Sequence, residues 1–201
     1  MKLGKKIFYV SIGTISSGLG ICISLVSYVN WKSKQNWKTK LNIVFDLDET
    51  IIHTNKIGYY NDANKLNLSS PEPYEIIGNR KIWIRPGVYN VIPILTKFNN
   101  LYLFTKASEP YTLDILEKTD LNKYFLDKKF REDCKGTCKD VNKFNLEGYS
   151  LLVDDKISNQ CGKQNFYHIP KFNCWTKYDV EIFKLFGWIV WLNILNDFDK
   201  L

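Results

Sequence analysis

Acidic residues are the scarcer charge in this 201-residue chain, with 21 Asp and Glu against 28 Lys and Arg and a formal net charge of +7. That imbalance attracts anionic partners such as acidic membranes, phosphoproteins or nucleic acid. There is no RGG repeat, no complete zinc-finger pattern and no aromatic-basic pattern of an RNA-binding domain, so nucleic acid is not an expected partner. Heavy use of Asn, Lys, Ile and Tyr, which AT-rich coding favours, accounts for much of the basic excess. A second close pair of cysteines is missing as well. The five cysteines (Cys22, Cys134, Cys138, Cys161 and Cys174) are odd in number, and Cys22 lies in an apolar segment. This argues against a disulfide framework and for reduced thiols in a cytosol-facing domain. Cys134 and Cys138, in "CKGTC", have a spacing compatible with zinc, but no partner pair completes a four-ligand site.

The segment Ile7 to Val29 contains no charged residue at all. It is long enough to cross a bilayer as a helix, with Tyr9, Tyr28 and Trp31 near its ends and lysines on both flanks. It lacks an Ala-x-Ala cleavage site and is longer than a typical signal peptide. The expected organisation is an N-terminal transmembrane anchor over residues 1–30, a polar linker over 31–40 and a catalytic domain over 41–201. The slightly heavier basic flank after the span favours a cytosolic catalytic domain.

From Leu41 onward, strands alternate with helices. Leu41–Phe45, Leu101–Phe104 and Ser150–Val153 read as buried strands. Tyr74–Gly87 reads as a hairpin turning at Gly78-Asn79. Val88–Phe98, Glu109–Lys118 and Asp179–Leu195 read as helices, with Pro110 in a first turn. Trp188, Trp191, Ile182, Leu185 and Leu192 form the expected packing face of the last helix. Each of the three strands ends in polar residues: Asp46 and Asp48, then Thr105, then Asp154 and Asp155. In an open parallel sheet, ligands bind outside the carboxyl ends of the strands, so these side chains are expected on one rim.

That set of residue types suits phosphoryl chemistry. On an extended strand, residues i and i+2 point the same way, so Asp46 and Asp48 would face one spot. Two such carboxylates are tolerated when a cation sits between them. Mg²⁺, a hard oxygen-seeking ion, fits that place. An aspartate can attack a phosphoryl group, and a neighbouring carboxyl can protonate the leaving oxygen and later activate water. Thr105 and Lys139 can hold phosphoryl oxygens as charge shifts. Glu49 and Asp140 are expected in solvated or capping positions, and His53 as a structural residue.

"FDLDETIIHT" resembles the DxDx[TV] signature of the haloacid dehalogenase superfamily. More narrowly, it is similar to the small C-terminal-domain phosphatases and Dullard-like enzymes, the NLI-interacting-factor-like phosphatases. "WIRPGV", "LYLFTKAS", "FREDC", "CKDVNKF" and "LLVDDK" resemble further segments of that family, in order, over about Leu41 to Leu195. The resemblance implies an α/β fold: a haloacid-dehalogenase-like parallel sheet flanked by helices, with a small β-hairpin insert, preceded by the transmembrane helix. It implies Asp46 as nucleophile and Mg²⁺ ligand. Asp48 would be general acid/base, with its backbone carbonyl on the metal, and Thr50 would support that loop. Thr105, Lys139 and Arg131 would bind phosphate, while Asp155 would be the third metal ligand with Asp154 beside it. The chain departs from the family pattern at Lys106, inserted between Thr105 and Ala107, and in lacking Ser-Pro after Asp154-Asp155. These departures bear on substrate choice.

The implied function is a membrane-anchored, Mg²⁺-dependent phosphatase acting on phosphoserine or phosphothreonine in a protein partner. The expected location is the endoplasmic reticulum, the nuclear envelope or a host membrane. The contrasting expectation is a non-catalytic interaction module of the same fold, like the mitochondrial import-receptor subunit. Intact Asp46 and Asp48 favour the enzyme.

Overall fold

The computed structural model describes residues 40–57, 75–134, 136–176 and 178–195. The expected membrane span and most of the linker lie outside them. Among the described residues, no helix is long and apolar enough to cross a membrane.

The element order is β1 (Asn42–Phe45), β2 (Ile52–Lys56), β3 (Glu75–Ile77), β4 (Arg80–Ile84), α1 (Val88–Leu95), β5 (Asn100–Phe104), α2 (Glu109–Lys118), β6 (Lys128–Lys129), β7 (Ser150–Asp154), β8 (Phe166–His168) and α3 (Glu181–Leu195). Five strands form a sheet in the order β6-β5-β1-β7-β8, and all of its pairings are parallel. Its centre is β1, whose four residues are all buried. A strand covered on both faces needs a continuous apolar run, and Ile43-Val44-Phe45 supplies one. Phe45, Phe104 and Leu152 are fully buried. Burial of each such side chain contributes about 1.5–3 kcal/mol.

The registers of β1 with its two neighbours match. Asn42 lies opposite Asn100 and Ser150, and Phe45 lies opposite Leu103 and Val153. The three central strands therefore finish almost level, and the residues that follow them share one rim.

A second sheet has three antiparallel strands in the order β2-β4-β3. The expected hairpin is β3-β4, turning at Gly78-Asn79, where Gly78 has φ +58°. The sequence reading had no place for β2, which pairs along β4 from Ile52–Ile84 to Lys56–Arg80. Arg85-Pro86-Gly87 follows β4 and starts α1. Gly87 has φ +87°, and a Cβ there would come within 2.5 Å of the Phe183 ring and 2.8 Å of Ile182 in α3. Glycine is needed for both reasons.

The expected helix over Val88–Phe98 is shorter as found: α1 stops at Leu95 and continues as turns. Within α3, Ile182, Leu185 and Leu192 are buried as expected. Trp191 is 51% exposed and does not belong to the packing face. Trp188 packs against Tyr167 of β8, with ring centres 5.1 Å apart and the planes tilted by 37°.

The expectation of reduced thiols is corrected. Cys138 and Cys161 form a disulfide, while Cys134 and Cys174 are thiols. The backbone bridge between Lys139 and Gln160 draws the two segments together. With Cys138 so engaged, the Cys134–Cys138 pair is not a zinc half-site.

Candidate active site

Asp46 is the first residue beyond β1, and its N–H donates to the Val153 carbonyl at 2.9 Å. That bond continues the sheet pattern by one step and fixes the Asp46 backbone beside Asp154. The strand conformation ends there. Asp48 belongs to a turn that returns to Ile52, and Glu49 has φ +65°, in the left-handed region. Strand alternation therefore does not orient Asp48. Asp46 turns to Lys139, while the Asp48 carboxyl accepts from the Tyr111 hydroxyl at 3.0 Å.

Lys139 is fully buried and bridges two carboxylates, with Nζ 2.6 Å from Asp46 Oδ1 and 2.7 Å from Asp154 Oδ2. A buried lysine is tolerable only with such partners. Its backbone N–H donates to the Asn159 carbonyl at 2.8 Å. Asp154 is itself held on every side. Asn159 Nδ2 reaches both of its oxygens at 2.8 and 2.9 Å, and the Lys156 N–H donates to Oδ1 at 2.8 Å.

Asp155 differs sharply from its neighbour. Its Oδ1 is buried and has no hydrogen-bond partner among the described residues. One oxygen each from Asp46, Asp154 and Asp155 fall within 4.8 Å of one another. An orphaned buried carboxylate oxygen is costly unless a cation or donor joins it. Asp46 and Asp155 thus fit a hard divalent cation, and Asp154 serves chiefly to clamp Lys139.

Burial raises the carboxyl pKa of Asp46 above the ordinary carboxylate range, with Lys139 opposing and Asp154 reinforcing the shift. Asp48 is also raised by burial, and there the Tyr111 hydrogen bond opposes. Asp155 is raised by burial and by Asp154. Ionising all of these groups together is unfavourable, and a cation among them would reverse the balance.

Thr105 follows β5 and is buried. Its hydroxyl accepts from the Ala107 N–H at 3.1 Å, and its own N–H donates to the Lys129 carbonyl. The inserted Lys106 does not break the rim, since its ammonium donates to Asn159 Oδ1 and to the Thr137 carbonyl. Arg131 is exposed and donates from Nε to the Lys106 carbonyl at 2.9 Å, so what the structure gives it is a bracing contact to that turn. Thr50 is buried; its carbonyl accepts from Arg85 at 2.8 Å, and its hydroxyl has no partner among the described residues.

The structure adds residues that sequence reasoning missed. Arg85 is fully buried and donates to Asp179, to the Thr50 carbonyl and to the Pro170 carbonyl. It ties the Asp48 turn to the start of α3. Its place in "WIRPGV" was the available signal. Asn159 and Tyr111 carried none. Glu49 is not solvated as expected. It accepts from His53 Nδ1 at 3.0 Å and pairs with Lys171 at 3.6 Å, while its carbonyl accepts from the Phe172 N–H. Asp140 does cap the turn beginning at Val141, accepting from the Asn142 N–H.

Comparison with known proteins agrees with this geometry. The family model for NLI interacting factor-like phosphatases matches residues 41–198. Among solved structures, the chain is similar to fission yeast Fcp1-R271A, an RNA polymerase II CTD phosphatase bound to beryllium fluoride. The identity is 15% and the TM-score 0.51, covering 89% of this chain and 57% of that one. It is also similar to a structure of Fcp1 described as an essential RNA polymerase II CTD phosphatase. There the identity is 17% and the TM-score 0.52, with 89% and 55% covered. The chain thus spans little more than half the length of these structures, and at such identity the likeness shows the fold. No curated protein matches the sequence. With its parallel sheet, its rim of aspartates and a match running from Leu41 almost to the C-terminus, the chain belongs to the NLI interacting factor-like phosphatase family.

Proposed function

We propose that the protein is an Mg²⁺-dependent phosphatase that removes phosphate from phosphoserine or phosphothreonine in a protein substrate. The observation that carries this reading is the buried Lys139 held between Asp46 and Asp154, beside the orphaned Asp155 oxygen. In this reading an Asp46 carboxylate oxygen attacks phosphorus and the bond to the leaving oxygen breaks, giving an aspartyl phosphate. Asp48 gives its proton to the departing oxygen. Asp48 then takes a proton from water as that water attacks phosphorus, and inorganic phosphate leaves with Asp46 restored. Lys139 and the Thr105 hydroxyl hold phosphoryl oxygens, and Arg131 steadies the turn between them. Asp46, Asp155 and the Asp48 backbone carbonyl would hold Mg²⁺, which when bound neutralises phosphoryl charge. Residues 1–30 would anchor the protein in a membrane of the endoplasmic reticulum, nuclear envelope or a host. The cytosolic placement of the catalytic domain rests on the basic flank after the span alone, since the Cys138–Cys161 disulfide removes the argument from reduced thiols.

The test uses the full chain on an aryl phosphate and on phosphoserine and phosphothreonine peptides, with and without Mg²⁺, beside Asp46→Asn. Hydrolysis that needs both the metal and Asp46 is expected. Activity indifferent to either one sinks the mechanism, and a folded protein with no activity points to an interaction module. The anchor predicts that the full chain stays with membranes through alkaline carbonate, and extraction would refute it.

A further inference from the structure

Asp48 receives its side-chain hydrogen bond from outside the catalytic loop. Tyr111, in the first turn of α2, donates its hydroxyl to Asp48 Oδ1 at 3.0 Å across 63 residues of sequence. The same phenol oxygen lies 3.1 Å from Thr54 Oγ1 on β2. No other described side chain hydrogen-bonds the Asp48 carboxyl. Tyr111 is held independently of this contact. Thr112, Ile115 and Leu116 bury one face of α2, and the Arg80 guanidinium lies over the Tyr111 ring at 5.2 Å from its centroid.

The chemistry of the three groups restricts how protons sit along this line. A carboxylate only accepts, and a phenol has one proton. When Asp48 is ionised, Tyr111 must donate to it, and the Thr54 hydroxyl is then the donor to Tyr111. When Asp48 carries a proton, it can donate to Tyr111, which turns its own proton toward Thr54. Two hydroxyl rotations reverse the direction of the line with no heavy atom moved. A lysine or an amide N–H at Tyr111's place could only donate, whereas the phenol can also accept.

We propose that Tyr111, backed by Thr54, is a positioning residue that fixes the orientation of the Asp48 carboxyl. The proposal rests on the phosphatase reading above, in which Asp48 delivers a proton to the leaving oxygen. Its consequence is selective. Proton delivery matters for an ester whose leaving oxygen is strongly basic and hardly at all for one that departs as a stable anion. Losing the orientation of Asp48 therefore harms the first kind of ester and spares the second.

The experiment compares the full-length protein with Tyr111→Phe and Thr54→Val, at fixed pH and saturating Mg²⁺, on phosphate monoesters from 2,4-dinitrophenyl phosphate to phenyl phosphate and a phosphoserine peptide. The readout is kcat/KM, which reports the steps up to aspartyl phosphate formation. Tyr111→Phe is expected to lose roughly ten-fold on phenyl phosphate and the peptide, and less than about three-fold on the dinitrophenyl ester. Thr54→Val follows the same slope with a smaller loss. An equal loss on every ester overturns the proposal, because a packing or substrate-binding role would act that way, and so does no loss at all. If thermal melting shows that Tyr111→Phe is unfolded, the slope in Thr54→Val decides alone. A folded wild-type protein that hydrolyses none of the esters overturns the phosphatase reading instead, and this proposal with it.

Discussion

The two sheets treat their side chains in opposite ways. In the parallel sheet, β1 is buried throughout and its flanking strands share its register. Asp46 and Asp154 therefore leave it at fixed places, and Lys139 closes the gap between them. The antiparallel sheet has an exposed outer strand, with Glu75 and Ile76 open to solvent, and β2 is mostly half-buried. Through Thr54 and Tyr111 it reaches Asp48 by hydroxyl groups that can turn. On the proposed mechanism, nucleophile and phosphate contacts would sit on buried structure, whereas the proton-handling carboxyl would lean on hydroxyl groups that can turn. Attack on phosphorus needs fixed distances, while proton transfer needs partners that can both give and accept.

Substitutions can break this contrast. Arg85 joins the two sides, so Arg85→Leu leaves Asp179 without its buried partner and should cost about 3–5 kcal/mol in a denaturant melt. A loss below about 1 kcal/mol would mean that the two sides are held together by other means. Lys139→Ala removes the proposed phosphate contact from the parallel-sheet side, with an expected fall in kcat of about 10²–10³-fold. A change confined to KM would show that Lys139 only binds substrate. The Cys138–Cys161 disulfide joins residues 23 apart and fastens the segment carrying Lys139 to the loop carrying Asn159. Replacing both cysteines by serine should cost about 3 kcal/mol, and a melting temperature indifferent to reductant would contradict the pairing. The smallest effect belongs to the open edge. Ile76 is 51% exposed, and Ile76→Ser should stay within about 0.5 kcal/mol. A larger loss would mean that β3 is covered in the working protein.

The centre of the parallel sheet and the β3-β4 hairpin were legible in the sequence, whereas β2 and the outer strands of the parallel sheet were not. Ile43-Val44-Phe45 and its counterparts before Thr105 and Asp154 are apolar runs that stop at polar residues, a signal carried by neighbouring positions. β6 has two residues and β8 three, too few for any periodicity. β2 was hidden because "IIHT" reads as the tail of the aspartate motif. The expected relief of repulsion between Asp46 and Asp48 needs restating, since the turn at Glu49 sends the two carboxyls to different partners. The contacts from Tyr111 to Asp48, Arg85 to Asp179 and Cys138 to Cys161 join distant segments, and nothing local announces them.

Lys139 is already engaged by two carboxylates before any ligand arrives. A phosphate dianion entering alone would load a buried, acidic site with two more negative charges. A divalent cation entering alone would crowd a lysine that has no route to water. Together they add no net charge. The two ligands should therefore bind as thermodynamic partners, each raising the affinity of the other by the same factor. Calorimetric titration of inorganic phosphate in the presence and absence of Mg²⁺ would read that factor directly, and a value of one would show that Lys139 leaves each ligand indifferent to the other.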